Sequence, residues 1–483
     1  MVENRKFDYK EKAIGIRHLQ CVLIFFGNAV SHALRVNLSV AIVAMTDKSG
    51  SPENGIYSWD ERTRSIILSS FFFGYVFTQV PSGQLAHRYG GHKIFFWGLS
   101  ICSVLAILTP FCAKLGGWHL VCALRFVQGL CQGSVLPSTH TLLSKWAPIK
   151  ERGLMGTLSY SGSQLGTALM LCVSGEITAS FMGWPGIFYV SGGIGCIWGF
   201  LFYFFAASSP AESRFISEEE KMYIEMLPIP SAETPSSKDT NEEPKKSLPT
   251  PWLDILTSVP FYCVVIVHCA NSWAYDILLT QIPTYINGVL QMDIKKNAVF
   301  SSLPFWVMLG LSYFFVFISE ILRRTKCMSM GVSRRFFNCL GNWIPAIGLI
   351  SLGYMGKDNE TLVIVALMIT VGMKAACYLG FMLNHIDLSP NFAGTLMGMT
   401  NCIAHTTSIM APLSVGFIVT DEKKPEQWRI VFFISAGFLF IGNLLFISFG
   451  KFETQYWNEP QPVKVVKTSK NNSQLSVYKD AVH

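Results

Sequence analysis

The 483-residue chain is half hydrophobic and only 14% charged, with a mean hydropathy of +0.37 and a formal net charge of +7. A soluble domain carries about 25% charged residues, so a water-soluble globular protein of this size is excluded. The positive charge needs no nucleic acid partner, because its distribution along the chain accounts for it.

The first 18 residues, MVENRKFDYKEKAIGIRH, are charged throughout and lack the apolar core and small-residue cleavage site of a secretory signal. A helix crosses the hydrocarbon core with about 20 apolar residues, and runs of that length then recur to the end of the chain. The predicted spans are 19–45, 63–84, 93–113, 118–141, 153–180 and 187–208, followed by 258–286, 299–320, 336–356, 361–384, 394–420 and 429–449. These runs are continuously apolar rather than alternating, which excludes a membrane β-barrel. The fold class is therefore all-α, with twelve transmembrane helices in two six-helix halves. The expected division is a cytosolic terminus at 1–18, halves at 19–208 and 258–450, a linker at 209–257 and a tail at 451–483.

The linker contains ETPSSKDTNEEPKKSLPTP, a Pro/Ser/Glu/Lys mixture that buries no core. Just before it, Ser217 and Glu220 form a capping-box pattern that predicts a short amphipathic helix. With the amino terminus in the cytosol, roughly 25 Lys and Arg fall on the cytosolic side, about 10 on the other side and about three within spans. That asymmetry predicts both termini in the cytosol. Nearly all of the 13 cysteines lie in or beside apolar spans without metal or disulfide spacing, so they read as small packing residues. The pairs Gly129/Gly133, Gly162/Gly166, Gly195/Gly199 and Gly394/Gly398 have the spacing that lets two membrane helices approach closely.

Four stretches carry a resemblance: ALRVNLSVAIVAM, FFFGYVFTQVPSGQLAHRYGG, KWAPIKERG and NHIDLSPNFAG. Together they resemble the anion:cation symporter family of the major facilitator superfamily, the group of sialin, the vesicular glutamate transporters and the type I sodium–phosphate cotransporters. The resemblance covers residues 19–450 and implies alternating access around a central cavity between the halves. It also implies a small anionic substrate, a co-transported sodium ion or proton, no other cofactor or metal, and a monomer in a plasma, lysosomal or vesicular membrane. In the loop after the second span, Gly83, Arg88, Gly90 and Lys93 keep the superfamily pattern while His87 replaces its acid. This loop is expected to latch the two halves, and Glu320, with Arg323 a turn later, to form the second copy of that latch.

A charge at mid-membrane costs about 2.5–3.5 kcal/mol on insertion scales, so one found there faces a cavity or a partner. Arg35 and Arg125 are such charges. The resemblance places both on the central cavity as anion-binding residues, and a guanidinium presents a planar fork of donors that matches a carboxylate or phosphate. Asn37, Gln132, His268 and Asn271 complete the candidate substrate-binding set. Gln132 stands where the sialin and glutamate branches have a glutamate, and Asn271 where the glutamate branch has an arginine. The first change favours sodium over proton coupling, and the second disfavours glutamate as substrate. His140 and His385 match family histidines and are candidates for coupling or gating. His32, Asp276 and Lys374 match none; the last two are opposite charges that form a structural pair, serve coupling or substrate, or lie outside misplaced spans. The expected function is cation-coupled symport of an anion such as phosphate or a carboxylate. The alternatives are a proton-coupled organic-acid exporter and a non-transporting sensor of the same fold. No nucleophile elbow, zinc-ligand spacing or phosphate-binding loop points to an enzyme.

Overall fold

In hydrocarbon, a backbone must satisfy its own polar groups, so a long apolar run that remains a single segment becomes a helix. The computed structural model describes residues 15–46, 57–59, 61–225, 249–292, 294–356, 359–421 and 423–459, and among these it is helical with no strand. The first half comprises α1 (Ile16–Thr46), α2 (Glu61–Tyr89), α3 (Gly91–Gln132), α4 (Val135–Trp146), α5 (Arg152–Ala179) and α6 (Gly183–Phe205). Two short helices, α7 (Glu218–Glu225) and α8 (Trp252–Leu256), precede the second half. That half comprises α9 (Val259–Gly288), α10 (Ile294–Arg324), α11 (Met330–Leu352), α12 (Glu360–Met373), α13 (Phe381–Leu388), α14 (Ala393–Ile418) and α15 (Pro425–Phe449).

Among the described residues twelve membrane-length rods result, because α3 is two rods that meet at Gly117, where φ is 55°. Glycine adopts that left-handed conformation without steric cost. The fourth rod continues across Gly133 and Ser134 into α4, and the tenth is interrupted between α12 and α13 by a 3₁₀ turn, Lys374–Tyr378. Among the described residues, eight stretches are long and apolar enough to cross a membrane by composition alone, the 56-residue Gly91–Trp146 among them. The rods α5, α11 and α14 are less apolar because they bury polar groups against other helices, such as Gln164, Asn338, Asn342 and Thr400.

Within the first half α1 packs along α5 and α6, and α2 along α3; within the second, α9 lies against α14 and α15, and α11 against α12 and α15. The halves meet where α2 and α4 face α14 and where α5 faces α10. Glycine makes the closest approaches possible. A Cβ at Gly162 or Gly166 would overlap the carbonyl oxygens of Phe25 and Ala29 on α1. At Gly394 or Gly398 it would overlap α4 or α2 of the other half. The 3.6-residue periodicity of the spans therefore becomes backbone-on-backbone packing both within and between halves.

The end of the bundle from which α1 starts and residues 206–258 depart is the linker end. The expected helix after Ser217 forms there, and Ser217 Oγ accepts the Glu220 N–H at 3.3 Å. Glu220 does not complete the capping box. Its carboxylate instead accepts the backbone N–H groups of Ile16 and Arg17 at 3.0 and 3.1 Å, capping the positive end of α1 from another segment. Arg17 bridges Glu220 and Glu151 at 3.0 and 2.7 Å. Residues 1–14, 226–248 and 460–483, to which the expected terminal and linker segments belong in large part, lie outside the described residues.

Candidate functional site

Arg35 and Arg125 come together at mid-bundle around one aromatic pair on α2. Phe71 and Tyr75, one helical turn apart, stack at 5.9 Å between ring centres. The Arg35 guanidinium lies 4.4 Å from the Tyr75 ring centre and 5.5 Å from that of Phe71, and the Arg125 guanidinium lies 5.1 Å from Phe71. Each such contact is worth about 0.5–2 kcal/mol, the larger value when water is excluded.

The two arginines differ in what their donors do. Arg125, 2% exposed, donates to the carbonyls of Leu34 and Arg35 at 3.3 and 3.1 Å and to Gln128 Oε1 at 3.0 Å. It thereby clamps α1 to the fourth rod. Among the described residues Arg35 donates no side-chain hydrogen bond, and neither arginine forms an ion pair. Arg35 is half-buried, with His32, His405 and Arg125 within electrostatic range. A half-exposed cation with unengaged donors, held on an aromatic platform at mid-membrane, has the chemistry to bind an anion.

The remaining first-half candidates are engaged elsewhere. Asn37 is fully buried and donates to Ser191 on α6 at 3.1 Å. Gln132, also fully buried, accepts from Ser31 Oγ at 3.2 Å and donates to Cys102 at 3.4 Å. Both sets of partners belong to the first half. His32 Nδ1 lies 3.2 Å from the carbonyl of Asn28 in its own helix.

In the second half His268 and His385 share the hydroxyl of Thr400, at 3.1 and 2.8 Å. The His385 ring lies 5.2 Å from that of His140, which reaches the Met382 carbonyl at 3.1 Å and the Tyr160 hydroxyl at 3.1 Å. Tyr160 in turn faces Tyr378, which hydrogen-bonds Gln164. His140 and His385 are thus joined in one buried polar row that crosses between the halves. Asn271 donates to Asn342 and to Cys377 at 3.3 and 3.1 Å. No ion pair joins Asp276 and Lys374 among the described residues, and buried Lys374 Nζ has no hydrogen-bond partner.

The expected latches are only partly where the loop motif puts them. Gly83 lies against the backbone of Gly394 and Thr395, Gln84 donates to Thr395 at 2.7 Å, and the His87 ring sits 5.1 Å from Phe392. Arg88 is exposed and stacks on Tyr89 beside it. Glu320 binds Arg323 and Arg324 of its own helix at 2.6 and 2.7 Å, so it bridges nothing between the halves. The strong inter-half ion pair is one that motif reading missed: Arg152 on α5 reaches Asp387 on α13 at 2.9 Å, and Arg334 on α11 holds the other oxygen at 2.7 Å. All three are buried. Both Arg152 and Asp387 lie in quoted motifs, KWAPIKERG and NHIDLSPNFAG, but near span ends, where charges ordinarily face water.

Every described hydrogen bond between the halves, from Tyr75–Asn401 and Gln164–Tyr378 to Arg152–Asp387, lies between mid-bundle and the linker end. The linker end is therefore the closed one. Arg35, His405, Tyr275 and Asp276 are half-buried rather than sealed.

A family model described as the Major Facilitator Superfamily matches residues 24–412. The chain belongs to the Major Facilitator Superfamily. A Drosophila melanogaster protein named "Putative inorganic phosphate cotransporter" is 36% identical over 93% of this chain and 88% of its own length. Human sialin is 34% identical over 91% of this chain and 90% of its own length. The zebrafish (Danio rerio) vesicular glutamate transporter 3 is 31% identical over 92% and 75%. These relatives place the chain in the anion:cation symporter group of the superfamily, as a multi-pass membrane transporter and not an enzyme. Among solved structures, a bacterial homologue of the iron transporter ferroportin in an outward-facing state superposes with a TM-score of 0.65 over 90% of this chain and 99% of its own, at 10% identity. That likeness concerns the fold.

Proposed function

We propose that the protein is a cation-coupled symporter of a small anion, with inorganic phosphate the first candidate and a carboxylate the second, and that Arg35 is its anion receptor. The observation that carries this reading is the Arg35 guanidinium, held on Tyr75 and Phe71 beside the buried Arg125; among the described residues Arg35 has neither a side-chain hydrogen bond nor a carboxylate partner. Arg125 positions Arg35 by binding its carbonyl. The names of the Drosophila relatives support phosphate.

Sodium is the coupling ion in this reading. Gln132 carries no titratable proton, and it is sealed between Ser31 and Cys102. The linker end, with both termini, faces the cytosol, as the distribution of Lys and Arg supports, and the transporter acts as a monomer.

The test is uptake of labelled phosphate by proteoliposomes under an imposed sodium gradient and, separately, a proton gradient. Uptake is expected with sodium and lost when choline replaces it. Undiminished uptake in choline that collapses with a protonophore would overturn sodium coupling. Gln132→Glu, which supplies a group able to carry a proton, is expected to make uptake respond to the proton gradient.

A further inference from the structure

Lys374 opens the 3₁₀ turn Lys374–Tyr378, in the middle of the tenth rod. Residues three apart eclipse one another in a 3₁₀ turn, so Lys374 and Cys377 stand in one row. Two side-chain amides converge on the Cys377 sulfur, Asn271 Nδ2 from α9 at 3.1 Å and Asn342 Nδ2 from α11 at 3.3 Å. The Asn342 amide is oriented by its donation to the Asn338 carbonyl at 2.9 Å. A thiol is a weak acceptor. Lys374 is 1% exposed, and among the described residues its Nζ has no hydrogen-bond partner. An ammonium and two amides thus surround one poor acceptor in a low-dielectric interior, where an unmatched charge is strongly unfavourable. The amides also have oxygen acceptors, Asn342 Oδ1 for Asn271 at 3.3 Å and the Asn338 carbonyl for Asn342, so among the described residues the ammonium is the group without one, and the weak thiol contact is the one an anion would replace.

These donors lie in the half opposite Arg35. Two neighbouring residues of α9 link the two sites: Tyr275 is within electrostatic range of Arg35, and Asp276 is within range of Lys374. Among the described residues of the two sites, with the histidines neutral, Arg35, Arg125 and Lys374 carry three positive charges against the one negative charge of Asp276. A dianion balances that surplus, and a monoanion does not.

We propose that Lys374, Asn271 and Asn342 form a second anion subsite, which takes the far acidic group of a doubly charged substrate whose near group sits on Arg35. The inference rests on the reading of Arg35 as anion receptor and narrows its substrate from phosphate, which has one acidic group, to the second candidate class, organic dianions with two separate acidic groups; a ligand that touches both halves draws them together. Hydrogen bonds to charged groups are the strong ones, so the second subsite is worth about a ten-fold gain in apparent affinity.

The test is thermal stabilisation of the purified full-length protein by malonate and by acetate, at a pH where malonate is a dianion. Malonate is expected to act at about ten-fold lower concentration than acetate. In Lys374→Met that ratio falls to about one, and in Lys374→Arg most of it is retained. Met keeps the length of the side chain without its charge, so the variant is expected to fold; Asn342→Leu, which removes one amide donor, is a second route to the same loss. Equal potency of the two anions on the unmodified protein overturns the proposal, as does an unchanged ratio in Lys374→Met. Arg35→Ala distinguishes the parent reading: if both anions still stabilise that variant as before, the anion-receptor assignment of Arg35 fails, whatever Lys374 does.

Discussion

Arg125 Nη2 donates to the backbone carbonyl of Arg35 at 3.1 Å, so one arginine holds the main chain of the other. The two charges, equivalent by composition, have different work: Arg125 is engaged with three acceptors, and Arg35 with rings alone.

Substitution separates these roles. Arg35→Ala is expected to abolish anion uptake with little change in thermal stability, because removing a costly buried charge does not itself unfold a helix bundle. Arg35→Lys keeps a charge but loses the planar fork, and should weaken apparent affinity by roughly five- to thirty-fold. Arg125→Lys should lower both uptake and melting temperature, because an ammonium does not reproduce the spread of the three donations that clamp α1. Uptake kinetics and melting curves on the same preparations check all three.

The ion pair of Arg152 and Asp387 joins residues 235 apart in the chain, and Arg334 completes it within the second half. Arg152→Ala leaves the Arg334–Asp387 pair intact, so it should release the closed end without unfolding the protein. A cysteine introduced at Gln84 should then react faster with an impermeant maleimide applied from the linker side. Asp387→Asn leaves two guanidinium groups buried without their carboxylate, and should cost about 3–5 kcal/mol of stability.

Gly83 lies against the backbone of Gly394 and Thr395 in the opposite half. Gly83→Val adds a branched side chain where backbone meets backbone, so the linker end should fail to close. Uptake is expected to fall to background while expression and helical content stay normal. Normal uptake by this variant would show that closure does not require the approach.

Glu151 lies in the short segment between α4 and α5. Burial pushes its carboxyl up, but the hydrogen bonds and charge of Arg17, with the Tyr223 hydroxyl, outweigh that and hold it below its ordinary range. A depressed folded-state value contributes stability that is fully present above the unfolded value and is lost as pH falls through the folded one. The melting-temperature gap between the protein and Glu151→Gln should therefore be full at neutral pH and close on acidification below about pH 4.

The positions of the spans, the six-and-six division and the two arginines on the first and fourth rods were legible without a structure. Each follows from the expense of polar groups in hydrocarbon, which acts locally along the chain: an apolar run becomes a span, and a charge within one signals a cavity or a partner. Tertiary structure alone decided what each polar side chain meets. Asn37 and Gln132 sit on the same rods as Arg35 and Arg125, yet helix rotation carries them into contacts within the first half. Glu320 and Asp387 are both acids near the linker end, and only packing makes one a partner of its own helix and the other the link between halves. The row from His268 through Thr400 and His385 to His140 draws on α9, α14, α13 and α4, so no local pattern announces it. The bilayer selects which segments are buried. The crossing of the helices then determines which polar groups find one another, and that depends on contacts hundreds of residues apart.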